Sequence, residues 1–306
     1  MRAKAIVKIC ICGTIALVLA SMLVSLLALP RVLDWKIGDL PFHWIDDHGS
    51  DEGYTVGEAS VSGEVRELDV SWLSGSVTVE LTDGDAVTLR EEPQPESSDA
   101  RMRWKLQDRK LTVYSQKSGL TIPTRAKQLT IGIPVGRAGK LQKLSLDLSA
   151  ASASLPALTL RELELDSVSG SVTLTGGSYE NLDFDSTSGD LTVTDAAVGE
   201  LSADTTSGSL TLDGAFETID FDTTSGALHL TASALPRDIS CDTVSGGVTL
   251  TLPENGGFSA TLDSVSGDLT VDGFAGSLHR DEFVYGQGGP AYEFDSVSGD
   301  VHIRCA

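Results

Sequence analysis

Cysteine is scarce in this chain, and the four present fall far apart. Cys10 and Cys12 sit in an apolar N-terminal run, while Cys241 and Cys305 lie in the C-terminal half. That is too few, and too scattered, for a disulfide framework, and the spacing fits no zinc pattern. Positive charge is also short, with 22 Lys and Arg against 44 Asp and Glu and a formal net charge of −22. A carboxylate surplus of this size repels phosphate-rich polymers and anionic lipid, so no nucleic-acid partner is expected. There is no phosphate-cradling glycine loop and no dinucleotide fingerprint. His43 and His48 flank Asp46 and Asp47, but no periodic backbone surrounds them to set a coordination geometry, and they are not read as a metal centre.

The charge that is present is unevenly placed. Residues 86–143 hold twelve basic and five acidic side chains, whereas residues 145–306 hold four basic and 26 acidic ones. A basic module therefore precedes an acidic one. The two either attract each other, or the basic module faces an anionic envelope.

Ile9 to Leu29 is a run of 21 residues without a charge, preceded by Arg2, Lys4 and Lys8 and followed by Pro30. At about 1.5 Å per residue a helix of this length spans a hydrocarbon core of about 30 Å. Cations on its N-terminal side predict a single-pass membrane protein with its N-terminus inside and its main domain extracellular. Trp35 and Trp44 follow at the position of an outer interface. A cleaved signal peptide is the competing reading, although its apolar core is shorter, about 7–15 residues. The expected organisation is a cytoplasmic tail over 1–8, a bilayer-embedded helix over 9–29, and a tether over 30–62. A β-rich N-terminal cap over 63–143 and a repeat domain over 144–306 complete it.

The repeats are the strongest signal in the chain. The phrase Asp-Ser/Thr-Val/Thr-Ser-Gly occurs seven times, beginning at Asp166, Asp185, Asp204, Asp222, Asp242, Asp263 and Asp295, at spacings of 19, 19, 18, 20, 21 and 32 residues. With Asp as position 0, apolar residues recur at −3, −1, +6 and +8, as in Leu163, Leu165, Val172 and Leu174. Each pair alternates as one face of a short strand does, and the alternation breaks between the pairs. A Gly at +4 marks a corner, where a positive φ or a close backbone approach requires the missing Cβ. These glycines are Gly170, Gly189, Gly208, Gly226, Gly246, Gly267 and Gly299, with Gly75 in a weaker upstream copy. A second weak copy, around Leu144, Leu146 and Leu155, has Ala151 in the glycine position. One repeat is thus one coil, with −3, −1, +2, +6 and +8 expected inward. Coils stacked in parallel, about 4.8 Å apart, form an all-β, parallel β-solenoid. A lone coil cannot bury its inner face, so stability belongs to the array.

The run Leu129-Thr-Ile-Gly-Ile-Pro-Val-Gly136, followed by tandem Ser-Gly-Asp/Ser-Val/Leu-Thr units, resembles the bacterial family of β-strand-repeat domains of unknown function labelled "putative adhesin". The resemblance covers roughly residues 60–306. It implies a β-helix-like fold, often behind a membrane segment, and carries over no activity and no functional residues.

The seven stacked aspartates support three readings. Each caps its own corner as an Asx turn, with the adjacent Ser or Thr assisting. Or the ladder binds cations such as Ca²⁺, which takes several oxygen ligands. Or it is catalytic. Even distribution along the axis favours the structural reading, because β-helix enzymes concentrate acids and bases on a few coils. The recurrent Ser at +3 argues against any single nucleophile, and the outward row Thr173, Thr192, Thr211, His229, Thr249, Thr270 and His302 reads as ordinary strand surface. Cys241, at −1, reads as core. No cofactor is expected. The extra residues between Asp272 and Ala291, including Gly286-Gln-Gly-Gly-Pro290, are expected to fold over the last coil. Failing that, the C-terminal end of the solenoid is left open to self-association or a partner. The expected function is a non-enzymatic cell-envelope module that binds an envelope polymer or a partner membrane protein. The alternatives are a polysaccharide-active enzyme and a passive spacer.

Overall fold

The computed structural model of the protein describes residues 51–119 and 126–306. The expected tail, membrane helix and first part of the tether lie outside the described residues. Among the described residues no helix is long and apolar enough to cross a membrane. The rest of the expected tether, 51–62, is not free chain. Thr55–Val56 and Ala59–Val61 are short strands, paired antiparallel with Arg103–Gln107 and Val87–Glu92 respectively.

The repeats form coils of two limbs. The Asp limb ends at the recurring carboxylate, and the Thr limb follows the glycine corner. Asp limbs pair in parallel and in register: Asp147 with Asp166, then Asp185, Asp204, Asp222 and Asp242. Thr limbs do the same through Ala153, Val172, Leu191, Leu210, Leu228 and Val248. Apart from Leu269 and Val271 of the Asp263 coil, the apolar inward residues at −3, −1, +6 and +8 are completely or almost completely buried in one continuous core. Neighbouring positions in a column compensate in volume: Phe184, Ala203, Phe221, Cys241 and Phe294 stack in that order, large against small. Such alternation fills a repetitive interior without overpacking. It also explains why Cys241 is core.

One inward position differs from expectation. Val265, at +2, is 73% exposed, and Thr187, Thr206 and Thr224 also face solvent. The Ser or Thr at +1 points inward instead. Gly189 N donates to Ser186 Oγ at 2.7 Å, Gly226 N to Thr223 Oγ1 at 2.8 Å and Gly246 N to Thr243 Oγ1 at 2.7 Å. A hydroxyl suits this position because it satisfies a corner amide that would otherwise be buried unpaired. In the first two coils of the repeat frame the same place is taken by Trp72 and Leu148, which pack in the core.

The glycines serve close approach rather than a left-handed φ. A Cβ on Gly208 would lie 2.0 Å from the carbonyl oxygen of Gly189, and one on Gly246 would lie 1.7 Å from that of Gly226. Gly75, with φ +108°, needs glycine on both counts.

The stacking order departs from the chain order at both ends. The first coil, Glu67–Thr82, lies between the later Lys143–Leu155 and a level built from Lys110–Tyr114 and Lys127–Pro134. At the other end, Ala291–Ser296 and Val301–Cys305 insert between the Asp242 coil and the Asp263 coil. The last coil in sequence is therefore interior, and the Asp263 coil forms the end of the stack. The expected cover does form, but over that coil. Glu282–Gly286 pairs antiparallel with Gly257–Ser264, and Ser277–His279 pairs with Glu282–Gly286. Beneath it Phe258 packs edge-on against Phe274 (5.0 Å), stacks on Tyr292 (5.6 Å) and touches Phe283 (5.7 Å).

Candidate interaction surface

The Asp limbs present one continuous acidic face. Their outward positions −4, −2 and 0 carry Glu162, Glu164 and Asp166, then Asp183 and Asp185, Glu200 and Asp204, and Asp220 and Asp222 on successive coils. Asp242, Asp295 and Asp263 continue the column. All seven predicted aspartates therefore lie in a single line. At the corners of Gly189, Gly226 and Gly246 the glycine amide goes to the +1 hydroxyl rather than to the aspartate. The predicted +3 serines also acquire a role. The hydroxyls of Ser188 and Ser207 donate to the carbonyls of Val168 and Thr187 on the preceding coil, at 3.0 and 3.3 Å. They are rungs between coils.

Packing like charges in a column has an electrostatic consequence. Asp166 is pushed up to about 6, first by burial among neighbouring strands and then by the charges of Asp185, Asp147, Glu164 and Asp183. Burial, assisted by Asp204, raises Asp185, and burial with Asp69 raises Asp147. Near the cap, Lys143 relieves the strain by bonding Glu162 (3.0 Å) and Glu164 (2.5 Å), and with Ser145 it lowers Glu164. Further along, Arg161 and Arg237 reach only 3.6 Å from Glu180 and Glu217. These exposed pairs contribute little.

Among the described residues no three His, Cys, Asp or Glu side chains converge as a metal site would require. A column offers each site one carboxylate per coil, spread along the axis. The Thr-limb face carries the expected outward row, which at the end of the stack reads Thr249, His302, Thr270. An open depression of about 470 Å³, lined by Glu92, Pro93, Ala126 and Gln128, lies on the cap and not on the repeats.

The cap holds a group that sequence reasoning missed. Lys127 Nζ lies 2.6 Å from Glu91 Oε1, both side chains being almost fully buried. The same ammonium donates to the carbonyls of Ala100 and Ser115 and sits over the Trp72 ring, 5.0 Å from its centroid. Glu91 in turn accepts from Met102 N at 3.2 Å. The stretch 91–100 reads as a charged loop, and nothing local signals that one of its charges is interior.

The family model described as Toastrack DUF4097 matches residues 65–304, which spans both the cap and the repeats. The chain belongs to this family. A solved structure described as a putative adhesin from Bacteroides fragilis superimposes on the Toastrack fold with a TM-score of 0.50. The two chains are 12% identical, over 83% of this chain and 98% of that one. A second, described as a putative lipid binding protein from Parabacteroides distasonis, gives the same TM-score with 16% identity, over 83% of this chain and 97% of that one. At such identities the likeness is one of fold. No curated protein sequence matches the chain. The Toastrack domain agrees with the resemblance drawn from the repeat motifs, including its β-strand architecture.

Proposed function

We propose that this chain is a membrane-anchored, exported, non-enzymatic binding module of the cell envelope, adhesin-like or envelope-sensing. The observation that carries the reading is the acidic face. Its charges repeat once per coil along the whole stack, which suits an extended polymer or a partner's surface better than a small substrate. The family membership and the fold shared with proteins described as an adhesin and a lipid-binding protein support a binding role. The uncharged run 9–29 supplies the anchor in this reading.

The test is a pull-down with the detergent-solubilised full chain against fractionated cell envelope, with and without Ca²⁺. Retention of one fraction, weakened when salt is raised, is expected for recognition through a charged face. Absence of retention by every fraction would move the reading to a spacer. A spacer is also what uniform coils permit, and it predicts that outward residues can be shuffled without consequence.

A further inference from the structure

The two ends of the stack are finished differently. At the cap, both limbs are closed by antiparallel strands: Lys110–Tyr114 pairs with Arg103–Gln107, and Lys127–Pro134 with Val87–Glu92. At the other end only the Asp limb is covered, by Glu282–Gly286. The Thr limb of the end coil, Leu269–Asp272, pairs with Val301–Cys305 on one side, and among the described residues no strand pairs with its other side.

The direction of its free backbone groups follows from the ladder. In coil after coil the +6 amide donates to the +5 carbonyl of the next coil: Leu228 N to Gly247 O, Val248 N to Asp300 O, Val301 N to Asp268 O. Leu269 is the +6 residue of the end coil, and Val271 shares its orientation, because alternate residues of a parallel strand bond to the same side. Their N–H and C=O groups thus point off the end of the stack. Their side chains tell the same story. Leu269 and Val271 are half-buried, whereas their counterparts Val301 and Ile303 are 2% and 0% exposed. Val265, Leu278 and Val284, three of the six large apolar side chains that are exposed among the described residues, also lie at this end.

We propose that the edge Leu269–Asp272 is a docking site for an extended segment of a partner protein, added as a further strand. The occupant is specified by the two faces of the site. Side chains pointing inward must be apolar, to complete the core over Leu269 and Val271. Side chains pointing outward meet Asp268, whose amide bonds the Asp300 carboxylate at 3.0 Å. The outward row then passes Thr270 to Asp272, whose carboxylate is held by His302 at 2.9 Å. The surrounding repeats hold 26 acids to four bases. The fitting segment therefore alternates apolar and basic residues, a mode in which main-chain bonds supply affinity and alternate side chains supply selectivity. The site goes beyond the envelope-binding reading, since it is separate from the acidic face.

The experiment uses the full chain and a fluorescent peptide of alternating lysine and valine, followed by anisotropy. A peptide of the same composition with its lysines and valines in separate blocks is the control. The alternating peptide is expected to bind and the block peptide not. Val271→Pro removes an outward N–H without touching the native ladder, as proline at a strand edge can, and is expected to weaken binding by about tenfold or more. Its circular dichroism and melting temperature are to match the parent. Should that variant unfold, Asp268→Lys decides, with weakened binding expected from charge reversal on the outward face. Absence of binding by the alternating peptide, equal binding of the block peptide, or unchanged binding in a folded Val271→Pro protein overturns the proposal. A dimer in sedimentation that Val271→Pro dissociates also overturns it, by assigning the edge to a second copy.

Discussion

The aspartate at position 0 shows how one residue type serves a repeat at a local electrostatic cost. Asp166 takes up its proton at about pH 6, above the ordinary carboxylate range, because it is partly buried beside like charges. The folded state thus binds more protons than the unfolded chain between the two pKa values. Stability contributed by this group rises as pH falls from about 7 towards 4. Asp147, Asp183 and Asp185 act in the same direction. Glu64, which accepts from Arg66 Nε at 2.8 Å, and Glu164, bonded by Lys143, are lowered by these cations and oppose the trend only at the acid end of that window. Thermal melting of the protein is expected to shift upward on acidification from pH 7.5 to 5. Asp166→Asn should raise the melting temperature at pH 7.5 and flatten that dependence. A variant less stable than the parent at pH 7.5 would show that Asp166 makes a net favourable contact there.

At the scale of elements, the cap and the repeats are stabilised by different means. The repeats rely on columns, in which each inward side chain stacks in register on its counterpart one level away, and at one level the +1 hydroxyls of Thr205 and Thr223 bond each other at 2.9 Å. The cap shares the same apolar core and adds a buried ion pair, which ties Glu91 on Val87–Glu92 to Lys127 on the paired strand Lys127–Pro134 and to the Trp72 ring. Removing one partner leaves a buried charge uncompensated, so Lys127→Met is expected to destabilise the protein by about 3–5 kcal/mol. Combining it with Glu91→Leu should recover much of the loss. Urea unfolding of the two variants checks this, and a double variant as unstable as the sum of its parts would argue against a coupled pair. The repeats were legible because the chain states the pattern of one coil seven times: Leu163, Leu165, Val172 and Leu174 declare the same strand faces as Tyr292, Phe294, Val301 and Ile303. The pair Glu91–Lys127 was not, since its members lie 36 residues apart in segments without periodicity.

At the scale of the whole molecule, the order of the coils matters. Because the last coil in sequence is the second from the end in space, truncation after Pro290 removes an interior level. Amides of 257–264 are then expected to lose their hydrogen-exchange protection along with the hairpin above them, since the parallel partner Ala291–Ser296 is gone. Were the stack in chain order, the same truncation would leave 257–264 protected on the Asp242 coil. Exchange mapped by mass spectrometry separates the two outcomes. The same arrangement places 269–272 rather than 301–305 at the open edge.

What the sequence determined by itself is the coil. Alternation sets which side chains of a limb face inward, and the recurring glycine sets where the chain turns, because both are demands of local backbone geometry. The inward choice between +1 and +2 escaped that logic. Both positions hold residues that suit either side of a corner, and only the paired corner backbones turn Ser167 in and Val168 out. Tertiary structure alone decided the order of stacking. A parallel coil presents nearly the same pattern of inward residues and edge hydrogen bonds to every other coil, so the repeat motif cannot name its neighbour. The choice falls to complementary volumes, such as Cys241 beneath Phe294, and to which strand edge the Phe258 cluster and its hairpin cover.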